Sequence, residues 1–201
     1  MDRRETIKWV LAASAVIRLS PVSVLAAPSG SYGTDPDLQR VYHPGELWPL
    51  TLSKLQKDQA TLLCDTLIPA DATSPSASAV GVVEFIDEWV SAPYPVQLQD
   101  RQMVLQGLEW LDAESARRFA RPVLEITPQQ VHAICDDICW VPKARPQFLQ
   151  AARFFARYRD LTTGGFYTTP QGRADLRYMG NTPLPRFDGP PLEVLKKVGL
   201  A

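Results

Sequence analysis

Apolar residues recur at helical spacing in two early segments of the chain, and capping residues or prolines bound both segments. The first segment begins at Ser53, where Gln56 completes a capping box, and Pro69 ends it. The second covers residues 82–90, whose apolar side chains fall on one face of a helix, and it ends before Pro93. Both segments are therefore predicted to be amphipathic helices.

The same spacing predicts two further helices downstream. The third covers residues 97–119, with Met103 among its inward side chains and a short break at residues 112–114. The fourth starts at Thr127, a capping hydroxyl followed by proline at the first helical position, and it ends before Pro142.

A fifth helix is predicted over residues 146–161, with Gly164–Gly165 terminating it, and a short helix over residues 192–198. Strand-like alternation is almost absent, so the predicted fold is all-α, a single domain of about five or six helices over residues 51–201. Its C-terminal segment is irregular and rich in aromatic residues and proline. Residues 27–50 carry little periodicity and are predicted to form an extended N-terminal arm.

The first 26 residues have the three parts of a secretory signal: a charged start, a short apolar run and a small-residue end. Arg3 and Arg4, followed by Thr-Ile-Lys at residues 6–8, are typical of a twin-arginine signal, the address of a pathway that carries folded proteins. An ordinary secretory signal that happens to hold two arginines, or an uncleaved anchor, is the alternative. Cleavage is predicted after Ala26, and the mature protein is expected in the periplasm.

Composition narrows the range of functions. The formal net charge of −1 gives no indication of a polyanionic partner such as nucleic acid. Removal of the signal leaves about 175 residues, the size of one domain with a sizeable core.

His132, Cys135 and Cys139 share one face of the fourth predicted helix, because they are spaced by three and four residues. Such a face could hold a soft metal, although a further ligand would have to come from elsewhere. A disulfide between Cys64 and either Cys135 or Cys139 is the favoured interpretation, since exported proteins meet an oxidising compartment. We therefore predict no metal site and leave the disulfide pairing open.

The charged residues give no credible active site. Glu84, Asp87 and Glu88 lie on the polar side of the second helix and are interpreted as a solvated face rather than an acid–base pair. The arginines within residues 117–121, beside Glu114, are interpreted as surface charge. No phosphate-binding loop or nucleophile elbow is present, so we predict no catalytic residue.

The aromatic residues of the C-terminal segment suggest a partner surface, because aromatic residues and arginine are enriched in interface cores. The alternative is that this segment simply wraps its own helices. The candidate partner-binding residues are Phe166, Tyr167, Tyr178, Arg186 and Phe187.

An ordered series of short motifs resembles the small subunit, subunit 3 or gamma, of gluconate 2-dehydrogenase-type complexes. The resemblance covers nearly the whole mature chain, and the ending at residues 186–191 looks like the branch associated with sugar and polyol dehydrogenases. The matching motifs are residues 64–71, 79–87, 107–112, 154–162 and 164–172.

This resemblance implies a non-catalytic subunit with no cofactor of its own. In such complexes a large subunit of the glucose–methanol–choline oxidoreductase type carries FAD, and a multihaem cytochrome c subunit often passes electrons to the membrane. The small subunit is expected to bind the large subunit and to supply the signal read by the twin-arginine translocase. The complex is expected at the inner membrane, on its periplasmic side.

Two other functions are compatible with the residues. One is an independent periplasmic metal-binding protein or enzyme that uses His132, Cys135 and Cys139. The other is a periplasmic binding module for a small ligand, for which the sequence offers no particular pocket.

Overall fold

A computed structural model of the protein describes residues 37, 39–178, 180, 186 and 189–200. Within these residues the regular structure consists of α-helices and short 3₁₀ turns without strands, which confirms the all-α prediction. The helices are α1 (Lys54–Leu67), α2 (Val82–Ser91), α3 (Pro95–Phe119), α4 (Pro128–Ile138), α5 (Leu149–Thr168), α6 (Pro170–Asp175) and α7 (Leu192–Lys197).

Helices α1 and α4 begin where the sequence predicts, because a capping box closes each N-terminus. The Ser53 hydroxyl accepts a hydrogen bond from the Gln56 amide at 3.3 Å, and the Gln56 side chain accepts one from the Ser53 amide at 2.9 Å. Thr127 and Gln130 make the same reciprocal pair at the start of α4. Each box satisfies two amides that the first turn of a helix leaves without partners.

Helix α5 lies at the centre of the core, where it packs against α1, α2, α3, α4 and α6. The burial of its apolar face removes large aromatic side chains from water, the main stabilising contribution to such a fold. The buried α5 side chains are Ala151, Ala152, Phe154, Phe155, Tyr158, Leu161, Thr162 and Phe166.

The structure corrects the predicted end of this helix. Gly164 and Gly165 do not terminate α5, which continues to Thr168. A Cβ atom on Gly165 would lie 2.7 Å from Phe85 Cδ1 and 3.2 Å from Val82 Cγ1, whereas one on Gly164 would meet nothing within 4 Å. Gly165 therefore allows α5 and α2 to approach closely, which is a different use of glycine from a helix stop.

The predicted break in α3 is also wrong, because α3 is continuous through residues 112–114. The acidic residues there are used in tertiary contacts. Asp112 Oδ1 accepts a hydrogen bond from the Val123 amide at 2.8 Å, and Glu114 is buried against two arginines.

The predicted signal, including Arg3 and Arg4, lies outside the described residues, so its boundaries stay predictions. The described part of the predicted arm, before Thr51, carries no helix and runs beside α2. Trp48 Nε1 donates to the Glu88 carbonyl at 3.3 Å, and its ring meets Tyr94 edge-on at a centroid distance of 6.0 Å. None of the described helices combines the length and apolar character that crossing a bilayer requires.

Candidate functional site

Asp87 is a buried structural carboxylate rather than part of a solvated face, which corrects the sequence interpretation. Its side chain is 1% exposed and lies 2.9 Å from the Lys57 ammonium. Oδ1 accepts hydrogen bonds from the backbone amides of Leu52 (2.9 Å) and Thr51 (3.1 Å). The Ser91 hydroxyl also donates to Oδ1, at 3.4 Å, and the ammonium of Lys57 faces Oδ2. The carboxylate therefore holds the segment before α1 against α2, and these donors with the Lys57 charge offset the cost of burying it.

A second buried carboxylate, Asp100 on α3, joins three helices. Arg157 of α5 donates to both its oxygens at 2.8 and 2.6 Å, and Trp89 Nε1 of α2 donates at 2.8 Å. Burial raises the pKa of Asp100, but the hydrogen bonds from Arg157 and Trp89 and the arginine charge outweigh it and lower the pKa overall. The Asp100 carboxylate therefore stays ionised at neutral pH and links α3 to α2 and α5 through its hydrogen bonds.

The arginines of residues 117–121, interpreted from sequence as surface charge, are partly drawn into an ion-pair network. Arg117 and Arg118 both donate to the buried Glu114, and Arg118 also lies 2.8 Å from Asp137 on α4. Hydrogen bonds from Arg117, opposed by burial and helped by Arg118, lower the pKa of Glu114. Arg145 completes the network by donating to Asp137 at 2.8 Å.

The three cysteines are free thiols in the structure, so the predicted disulfide from Cys64 to Cys135 or Cys139 is not formed there. Cys64 Sγ lies instead 3.3 Å from the buried hydroxyl of Tyr158. Burial raises the pKa of Cys64 to about 11 and that of Cys135 to about 12. Both buried thiols are therefore protonated at neutral pH and are weak nucleophiles.

The residues of the alternative metal-binding hypothesis do not converge. His132 and Cys139 are exposed, whereas Cys135 is buried in the core. Among the residues that the structure describes, no group of three or more His, Cys, Asp or Glu side chains is arranged to hold a metal ion.

The candidate partner-binding residues of the C-terminal segment lie in different environments. Phe166 is fully buried and packs edge-on against Tyr167, with 5.1 Å between the ring centroids. Its side chain therefore belongs to the core, which corrects the prediction that it contacts a partner. Tyr167 is half-buried, while Tyr178 (56% exposed) and Arg186 lie on the surface. Phe187 lies outside the described residues, and the partner role of the exposed members stays a prediction.

A concave surface that was not predicted from the sequence lies between α3 and the start of α5. We call it the α3/α5 groove and define it by Gln99, Gln102, Met103, Gln106, Trp110, Gln147, Gln150 and Arg153. Its central cavity, of about 320 Å³, has the Phe154 side chain, packed on Gly107, in its wall. Met103 is 36% exposed here rather than inward as predicted. The signal for the groove was the spacing of Gln99, Gln102 and Gln106, uncharged polar residues on one helix face.

These observations define an all-helical protein whose buried charges serve to join its helices. A family model described as gluconate 2-dehydrogenase subunit 3 matches residues 55–185, more than half of the 201-residue chain. The chain therefore belongs to the gluconate 2-dehydrogenase subunit 3 family. A search of curated proteins and a search of solved structures each found no match.

Proposed function

We propose that this chain is the non-catalytic small subunit of a periplasmic dehydrogenase complex, in which it escorts the flavoprotein subunit through twin-arginine export and assembly. The family match over residues 55–185 is the observation that carries the proposal, since it makes the chain a subunit of a gluconate 2-dehydrogenase-type complex. The partner is a large subunit of the glucose–methanol–choline type with FAD, and a multihaem cytochrome c subunit is the further proposed member.

The state of the ionisable groups supports a non-catalytic role. The buried carboxylates of the described residues, Asp87, Asp100 and Glu114, each have a basic partner on the same or a neighbouring element. A general acid or base works best with a pKa near the operating pH. The pKa values of Asp100 and Glu114 are lowered instead, and those of Cys64 and Cys135 are raised, both away from neutrality.

The N-terminal sequence supports the escort role. Arg3 and Arg4 form a paired arginine followed by residues typical of a twin-arginine address, which a receptor reads on folded cargo. A route for folded cargo suits a flavoprotein that has already bound FAD in the cytoplasm. The complex would then be held at the periplasmic face of the inner membrane through its other subunits.

Co-expression with the flavoprotein subunit tests the proposal. We expect the two chains to co-purify, and dye-linked oxidation of sugars, polyols or sugar acids to require the flavoprotein. The isolated small subunit is expected to oxidise none of these substrates. Failure of the two folded chains to form a complex would contradict the proposal, as would substrate oxidation by the small subunit alone.

A further inference from the structure

The α3/α5 groove continues along α3 beyond its central cavity in both directions. On one side a cavity of about 440 Å³ shares Met103, Gln106 and Gln150 with it and extends to Arg153. On the other, a cavity of about 650 Å³ shares Trp110 and extends to the Glu114 network. With the 650 Å³ cavity included, the groove runs along α3 from Gln99 to Arg118. This is 19 residue steps, or about 28 Å at 1.5 Å per residue.

Charge is distributed unevenly along this groove. The residues that line the central cavity include no ionisable side chain and combine glutamine amides with Met103, Trp110 and Phe154. The outer end of the 440 Å³ cavity carries Arg153, whereas the far cavity carries three arginines and two carboxylates, a net charge of +1 (3 − 2). The groove is therefore uncharged in its centre and cationic at both ends.

We propose that the α3/α5 groove docks a segment of the flavoprotein subunit that has apolar side chains in its middle and acidic residues at its two ends. This inference rests on the proposed function, which supplies the partner. The centre of a protein interface is typically poor in charged residues and rich in aromatic residues and Met, as the centre of this groove is. Charged residues at the rim then favour a partner of complementary charge. A helix of about five turns, or an extended segment of about nine residues, would span the groove.

Charge complementarity also argues against two segments of this chain as the occupant. Helix α7 carries Lys196 and Lys197 against Glu193, and residues 1–8 carry three basic side chains against two acidic ones, so each segment has a net charge of +1. Either segment would bring positive charge to the cationic ends of the groove, and like charges brought together destabilise an interface. An acidic segment of a partner fits both ends.

A paired substitution tests the proposal without disturbing the core. Gln106 and Gln150 are exposed in the groove, so Gln106→Glu with Gln150→Glu adds two negative charges where the occupant lies. The control is Gln129→Glu with Gln171→Glu, which makes the same charge change at exposed helical positions outside the groove. We expect the groove pair to weaken binding of the purified flavoprotein by about tenfold or more, and the control pair to leave it unchanged.

The cationic end is tested separately through Arg153, which is exposed. Arg153→Glu is expected to weaken flavoprotein binding, Arg153→Lys to preserve most of it, and Arg173→Glu, on α6, to leave it unchanged. All variants are compared as folded proteins by circular dichroism and thermal unfolding before the binding measurement.

The outcomes separate this inference from the proposed function. If the wild-type chain binds the flavoprotein and both groove variants bind as well as it does, the groove is not the docking surface, while the proposed function stands. The inference is also overturned if native mass spectrometry shows that the groove variants lose only a second copy of this chain or a small molecule. If the wild-type chain does not bind the flavoprotein, the proposed function fails as well.

Discussion

Two adjacent glycines in α5 are expected to respond in opposite ways to the same substitution. Alanine in a helix interior is favoured over glycine by about 0.5–1 kcal/mol. A Cβ on Gly164 meets nothing within 4 Å, so Gly164→Ala should gain this amount in full. A Cβ on Gly165 lies 2.7 Å from Phe85 Cδ1, well inside the usual carbon–carbon contact of about 3.5–4.0 Å.

The net effect at Gly165 follows from two opposing contributions. Overpacking of a closely packed contact costs about 1–3 kcal/mol, and the helix propensity of alanine offsets about 0.5–1 kcal/mol of that. We therefore expect Gly165→Ala to destabilise the fold by about 0.5–2 kcal/mol. For a chain of this size one kcal/mol shifts the Tm by about 2–4 °C, so Gly164→Ala should raise the Tm and Gly165→Ala should lower it.

Urea unfolding and thermal unfolding of the mature chain measure both effects. Phe85 makes the close contact, so Gly165→Ala on a Phe85→Ala background should lose most of its extra cost, as a double-mutant cycle would report. Shifts in the same direction and of similar size for the two glycine substitutions would contradict the role given to Gly165. An unchanged cost of Gly165→Ala on the Phe85→Ala background would contradict it as well.

Three further predictions concern the buried polar groups. Asp87→Ala removes the acceptor of two backbone amides and should cost about 3 kcal/mol in urea unfolding, whereas Glu84→Ala, at an exposed position on the same helix, should cost less than about 1 kcal/mol. Because the folded-state pKa of Asp100 is lowered, its stabilisation is present above its unfolded pKa near 4 and is lost as the pH falls through the folded value. Wild-type stability should therefore drop as the pH is lowered below about 5, and less so in Asp100→Asn. With reductant removed, a thiol reagent at pH 7 should modify exposed Cys139 first and the two buried thiols only after unfolding; loss of two of the three free thiols in the mature periplasmic protein would instead support the predicted disulfide.

Local sequence signals predicted most of the helices because their causes are local. The capping boxes at Ser53 and Thr127 and the apolar faces of α2 and α4 require only residues within a few positions of one another. The errors arose where a distant residue decides the structure. The role of Gly165 depends on Phe85, and the burial of Asp87 depends on the backbone of Thr51 and Leu52.

The α3/α5 groove could not be predicted from the sequence, because it is formed by two helices that are distant along the chain. The glutamines of α3 become a groove only because α5 lies beside them, and no periodicity within α3 identifies that neighbour. The family resemblance was predictable because ordered motifs over residues 64–172 are visible in the sequence, and a family match over residues 55–185 confirms it. The ion pairs of Glu114 with Arg117 and Arg118 lie within one helix, at a spacing that the sequence shows. The pairs Asp100–Arg157 and Asp137–Arg118 join different helices, and the sequence does not indicate their approach.

The location of the flavoprotein subunit in cells that carry Arg3→Lys and Arg4→Lys in this chain tests the escort role most directly. The substitutions keep the positive charge but remove the paired arginines that the export receptor reads. The proposed function predicts that both subunits then stay in the cytoplasm, with no dehydrogenase activity in the periplasm, whereas the wild-type chain brings both out. Folded, active flavoprotein in the periplasm of cells with the lysine variant, or without this chain, would contradict it.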